Sequence, residues 1–215
     1  LDDALPAVER RAAGLSPAAL AELQRIYERH DAAKKGPLFA TTVVVPQADD
    51  FARHALSQTG DIARGKQIFA DERGAACTRC HANLHVRPTP DTLGPDLTTI
   101  GAQFPRAALI EHVLYPNRSV REGYQATTVI TSSGQVFTGL FRGETADEVL
   151  LADQDGKLQR IAKDDIDERA QSAQSLMPEN LHAGLSLDDF AGLIAFLESC
   201  KAPPSGADAR GEAPA

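Results

Sequence analysis

The sequence predicts a mainly helical fold with an inserted small antiparallel β-meander or barrel and an N-terminal helical extension, α+β overall. Helical patterns begin and end the stretch 60–199, and short β-branched segments interrupt it at 124–166. With 215 residues, 42% of them hydrophobic, the chain is long enough to bury such a core. We therefore divide it into an N-terminal extension (1–59), a main domain (60–199) and a flexible tail (200–215).

The composition limits the classes of function. The net charge of −8 argues against nucleic acid as a partner, because nucleic-acid binding needs basic patches. No apolar run reaches the length of a membrane span. The chain has no Trp, three Tyr and eight Phe, so aromatic side chains are scarce and a cofactor would help to fill the core.

The N-terminal extension is predicted to be helical with one extended segment. Ser16 and Pro17 are typical of the start of a helix, and Gly36-Pro37 ends the pattern. The run 38–45 (LFATTVVV) then favours a strand or an extended strap. We assign no chemistry to this region and expect it to pack against the rest of the chain.

The main domain is predicted to begin with a helix capped by Asp61. Gly65 inside this helix disfavours it by about 1 kcal/mol relative to Ala. A helix tolerates such a glycine where another backbone comes very close, so Gly65 predicts a close contact. Pro105 starts a second helix, which ends before Pro116.

Residues 124–166 predict a meander of four or five short strands, separated by turns such as Ser133-Gly134 and Asp155-Gly156. Helical character returns at Ser186, which with Asp189 resembles a capping box. The apolar residues that follow have helical spacing.

The segment Gly74–Asn83 (GAACTRCHAN) contains the pattern C-x-x-C-H. A zinc site needs four ligands, and the chain has no second C-x-x-C or H-x-x-x-H pair. A redox dithiol normally follows a strand in a βαβ unit, whereas this motif follows a helix. Covalent haem attachment accounts for all three residues, because Cys77 and Cys80 would add to the porphyrin vinyl groups and His81 would bind the iron.

Such an iron needs a second axial ligand, for which the single methionine, Met177, is the first candidate. It lies in a polar stretch next to a proline, outside any apolar stripe, although a lone Met is often core filler. His85, His112 and His182 are the competitors. His85 is close to His81 in sequence, and the other two are expected at the surface.

The chain resembles class I c-type cytochromes, and more narrowly the planctomycete-type cytochrome c-like haem-binding domain. The phrases GDIARGKQIF, C-x-x-C-H, GPDLTTIG, YPNRSVREGY and SLMP carry the resemblance over about residues 60–199. It implies a haem site formed by Cys77, Cys80, His81, Pro95, Leu97 and Met177, with His81 and Met177 as iron ligands. It also implies that Gly65 lies where the first and last helices cross, and that the carbonyl of Pro95 accepts a hydrogen bond from His81 Nδ1.

The resemblance further implies one covalently bound haem c that carries single electrons, with no enzyme activity of its own. The expected partners are a dehydrogenase or quinol oxidase as donor and a terminal oxidase or reductase as acceptor, in the periplasm. Dimerisation through Cys200 or through the β-rich insert is a further expectation. The alternatives are a haem-based gas sensor or ligand-binding module, and a redox docking domain of a larger dehydrogenase.

Overall fold

The structure is a computed structural model that describes residues 5–12, 15, 17–34, 36–40, 45–82 and 92–201. Its helices are α1 (Leu5–Ala12), α2 (Pro17–Tyr27), α3 (Asp31–Lys34), α4 (Ala48–Ser57), α5 (Ile62–Ala70), α6 (Ile100–Gln103), α7 (Arg106–Leu114) and α8 (Leu187–Ser199). Its strands are β1 (Gln125–Thr131), β2 (Val136–Glu144), β3 (Glu148–Ala152), β4 (Leu158–Ala162) and β5 (Ile166–Ser175). Short 3₁₀ turns cover Pro37–Phe39, Cys77–Arg79 and Lys163–Asp165.

The prediction of a mainly helical fold is wrong. Of the described residues 42% are helical and 20% are in strands, so the molecule is an α+β mixture with a substantial sheet. The five antiparallel strands have the order β4-β3-β2-β1-β5. The sheet exceeds the expectation because β5 continues to Ser175, beyond the predicted limit at 166, and pairs with β1.

The helical core is built around the crossing of α5 and α8. A Cβ added to Gly65 would lie 1.9 Å from the carbonyl oxygen of Gly192, so the two backbones touch there. The close contact predicted from Gly65 is therefore confirmed. The Asp61 carboxylate caps α5 by accepting hydrogen bonds from the backbone N–H groups of Ala63 and Arg64.

Helix α4 lies within the extension that was predicted to be helical, although its bounds were not predicted, and it packs into the same core. The Phe51 and Phe190 rings meet edge to face with centroids 5.4 Å apart, and both side chains are fully buried. Residues assigned to the N-terminal extension thus contribute to the core of the main domain.

Two further predictions fall partly outside the described residues. The expected strand at 38–45 begins instead as the 3₁₀ turn Pro37–Phe39, and 41–44 lie outside the described residues. Residues 202–215 of the expected flexible tail also lie outside them.

The sheet has two separate apolar clusters. Val129, Val149, Leu151 and Ile161 form one of them within the sheet. The second consists of Leu93, Leu140 and Ala152, against which Cys80, Tyr124 and Leu176 pack. The second cluster joins β2 and β3 to the C-x-x-C-H segment.

Candidate functional site

One tight turn brings the three residues of the motif together. After α5, the chain enters the 3₁₀ turn Cys77–Arg79 through Ala76, whose φ of 50° is left-handed. The carbonyl oxygen of Cys77 accepts hydrogen bonds from the N–H of Cys80 (3.2 Å) and from the N–H of His81 (2.9 Å). Both thiols and the imidazole therefore extend from a single hydrogen-bonded loop.

The two thiols are free and partly covered by protein. Burial raises the pKa of the Cys77 thiol to about 11, and burial also raises the pKa of Cys80. Both groups are therefore protonated at neutral pH. A catalytic redox dithiol needs the opposite, a thiol whose pKa is lowered so that the thiolate forms.

The imidazole of His81 is held by the loop that follows the motif. Its Nδ1 lies 2.9 Å from the carbonyl oxygen of Pro95. Because a carbonyl can only accept, Nδ1 carries the proton, and the lone pair of Nε2 is left available. Burial lowers the pKa of His81 more than this hydrogen bond raises it, which favours the neutral ring.

Gly94 allows the loop to lie flat against the His81 ring. A Cβ at this position would lie 2.5 Å from Cε1 and 2.6 Å from Nδ1 of the ring. The N–H of Gly94 donates to the Cys80 carbonyl (2.7 Å), and the N–H of Leu97 donates to the Ala82 carbonyl (2.8 Å). The loop containing Pro95 and Leu97 is thus bonded directly to the motif.

An apolar cavity lies next to this loop. It encloses about 400 Å³, including the part of its mouth that is open to solvent. Phe69 of α5, Val113 of α7, and Leu193 and Leu197 of α8 form its helical walls.

Four of the six predicted site residues meet at this cavity, and Cys80 and Pro95 do not line it. Cys77, His81, Leu97 and Met177 all line it, although Met177 is far from the other three in sequence. Met177 follows β5, and its N–H donates to the hydroxyl of Ser175 (3.0 Å). Cys80 is not among the lining residues and packs instead on the cluster of Leu93, Leu140 and Ala152.

His182 is a cavity residue whose burial was not expected. Its relative exposure is 6%, and its ring meets the Phe51 ring at 5.0 Å. Its Nδ1 is buried and has no hydrogen-bond partner among the described residues. Desolvation lowers the pKa of His182, so this ring also favours the neutral form.

The other competing histidines do not line the cavity or cannot be placed. His112 lies on α7, and its ring meets the Phe104 ring edge to face at 4.8 Å. His85 lies outside the described residues.

Cys200 is separate from the site. Its side chain is fully buried, and its sulfur donates to the carbonyl of Phe196. A disulfide between subunits through Cys200 would require this sulfur to leave the core.

The residues fit a covalently attached haem. Such a group would be suited by the features present here: an apolar cavity, two protonated thiols, a neutral imidazole with Nε2 available and a thioether. The unpartnered Nδ1 of His182 is a further polar atom at the cavity that a bound group could satisfy. No cluster of three or more His, Cys, Asp or Glu side chains suited to a metal ion occurs in the part of the chain that the structure describes.

The chain was compared with models of known protein families and with curated proteins, and neither comparison gives a match. No helix within the described ranges combines the length and the apolar character needed to cross a membrane.

Proposed function

We propose that this chain is a monohaem c-type cytochrome that carries single electrons between redox partners. The observation that supports this best is the apolar cavity that brings Cys77, His81 and Met177 together. A thiol and an imidazole from one loop, together with a thioether from a distant part of the chain, are the donors of a covalently attached, His/Met-ligated haem.

The two cysteines would hold the group. The sulfur and hydrogen of each thiol, Cys77 and Cys80, would add across one vinyl group, which leaves two thioether links to the same loop. The bound haem would supply a reversible one-electron change at its iron. The apolar walls formed by Phe69, Val113, Leu193 and Leu197 would exclude water from the site and so influence its reduction potential.

His81 and Met177 would be the side chains that bind the iron. The hydrogen bond from His81 Nδ1 to Pro95 fixes the ring orientation and the tautomer, and it makes Nε2 a better donor to iron. If His81 and Met177 both bound the iron, no position on it would be left for a substrate. We therefore propose an electron carrier and not an enzyme.

The proposed partners are redox proteins that meet the chain through a small, transient interface. They would be a dehydrogenase or quinol oxidase on the donor side and a terminal oxidase or reductase on the acceptor side. Since haem is attached to such proteins outside the bacterial cytoplasm, the proposed location is the periplasm.

Covalent attachment is the direct test of this proposal. The chain should be produced in a host with a haem-attachment system and then analysed by intact mass and by the pyridine haemochrome spectrum. One haem should survive denaturation in the wild type and in the control C200A, and C77A or C80A should retain at most one thioether link. A wild-type chain without covalent haem would refute the proposal. A reduced spectrum that changes with CO would favour the gas-binding alternative.

A further inference from the structure

Asn117 makes hydrogen bonds to both ends of the short segment that contains Met177. Its Oδ1 accepts from the backbone N–H of Ser175 at 2.8 Å. Its Nδ2 donates to Oε1 of Glu179 at 2.7 Å. Met177 lies midway between these two contacts, so one side chain brackets it on both sides.

The backbone around Asn117 is anchored to the helical core. It lies in the turn that follows α7, where the N–H of Arg118 donates to the carbonyl of Tyr115 at 3.0 Å. Leu109, Ile110 and Leu114 of α7 are buried in the helical core, and Val113 of α7 lines the cavity. The two contacts therefore connect the segment 175–179 to a wall of the site.

The chemistry of these contacts suits an amide. An Asn side chain presents an acceptor oxygen and a donor nitrogen in one plane, which match the N–H of Ser175 and the carboxylate of Glu179. An aspartate could accept from Ser175 but could not donate to Glu179, and it would place two carboxylates side by side.

We propose that Asn117 is the positioning residue that holds Met177 at the iron. This inference rests on the proposed function, because it assigns a residue to the ligation of the same haem. Without the two contacts the segment 175–179 would move away from the cavity more often. Other ligands, including the buried imidazole of His182, would then compete with Met177.

The contacts themselves are tested first in the haem-free chain, so that this result does not depend on haem. Amide hydrogen exchange should be compared in the wild type and N117A. We expect exchange at Ser175 and Met177 to become about tenfold faster in N117A, because about one hydrogen bond's free energy is lost at this segment. Unchanged exchange would overturn the inference whether or not haem is bound.

Ligation is tested in the haem-loaded protein. In N117A the near-infrared charge-transfer band of the Met–Fe(III) bond should weaken, and the affinity for added imidazole should rise about tenfold. The control S132A removes another side-chain hydrogen bond, from Ser132 to Asp165 at the far end of the sheet, and should change neither signal. A full band and unchanged imidazole affinity in N117A would overturn the inference.

A pair of variants provides a rescue that does not depend on N117A folding. N117D should lose the band through repulsion by Glu179. Adding E179Q supplies an amide that can donate to the new carboxylate, so N117D/E179Q should recover the band and the wild-type imidazole affinity. If the rescue fails while the wild type has covalent haem and normal ligation, the positioning role of Asn117 is contradicted and the proposed function is not. Absence of covalent haem in the wild type counts against the proposed function.

Discussion

The imidazole of His81 is confined on two sides by consecutive residues of one loop. The carbonyl of Pro95 accepts a hydrogen bond from Nδ1, and Gly94 lies so close to the ring that a Cβ there would be 2.5 Å from Cε1. The ring has little freedom to turn while both contacts persist. An axial ligand needs this restriction, because its Nε2 must keep one direction.

Replacing Gly94 with alanine should displace the His81 ring and break its hydrogen bond to Pro95. We expect G94A to lose about 1–3 kcal/mol of unfolding free energy, as is usual for overpacking. We also expect a lower ratio of covalent haem to protein. Urea unfolding and the pyridine haemochrome assay measure the two effects.

The control for this variant is G184A, because a Cβ at Gly184 would meet no atom within 4 Å. Equal behaviour of G94A and G184A would show that Gly94 does not confine the ring.

The sequence predicts the contacts of single site residues wherever the interacting residues are close in the chain. The two cysteines and His81 lie within five residues, and Pro95 follows His81 by 14 residues, so the motif and the family resemblance suffice to predict the contact. The burial of His182 has no local signal. It depends on the Phe51 ring of α4, which comes from a distant part of the chain.

Among the elements, α5 and α8 cross at a pair of glycines. The Cβ of a residue at position 65 would overlap the Gly192 carbonyl, and a Cβ added to Gly192 would lie 2.9 Å from the carbonyl oxygen of Asp61. This crossing places Phe69 of α5 and Leu193 of α8 on the same cavity.

G65A should therefore destabilise the protein, although helix propensity alone would favour alanine by about 1 kcal/mol. We expect a net loss of about 1–3 kcal/mol or more, because backbone atoms cannot move aside as a flexible side chain can. Chemical denaturation of the haem-free chain measures it. An increase in stability would mean that the helices do not touch at Gly65.

The bounds of strand β5 and of helix α4 were not predicted, for different reasons. Strand β5 has the sequence IDERAQSAQS and lies at an edge of the sheet, where polar residues are common and no apolar alternation is required. Helix α4 does have a local signal: Phe51 and Ala55 are four residues apart, and Asp50 accepts a hydrogen bond from the N–H of Gln47 at its start. The spacing of the apolar residues and the acidic residue near the start can be read in the sequence, so the bounds of this helix could have been predicted.

The second apolar cluster of the sheet should protect Cys80. Leu140 is 2% exposed, so L140A should lower the free energy of unfolding by about 2–5 kcal/mol. It should also expose the Cys80 thiol, which packs against the same cluster. The matched control is Leu151, a buried leucine of the first cluster. Thiol labelling of Cys80 in the haem-free chain should be faster in L140A than in L151A, measured by peptide mass. Equal labelling rates would contradict this role of the sheet.

For the molecule as a whole, the sheet and the helical body build the site together. Cys80 packs against the cluster that contains Leu140 and Ala152 of the sheet, and the ion pair of Arg79 with Asp155 (3.3 Å) adds a second contact at the motif. Strand β5 then ends at Ser175, two residues before Met177. The described residues 92–175 between the motif and Met177 therefore contact the motif through the sheet and end beside Met177.

The near-infrared spectrum of the oxidised protein shows directly whether Cys77 and Cys80 hold a haem that is ligated by His81 and Met177. We predict the Met–Fe(III) charge-transfer band in the wild type and in H182A, and its loss in M177A, which should keep its haem covalently bound. A wild type without the band, or a spectrum that changes in H182A and not in M177A, would contradict the account.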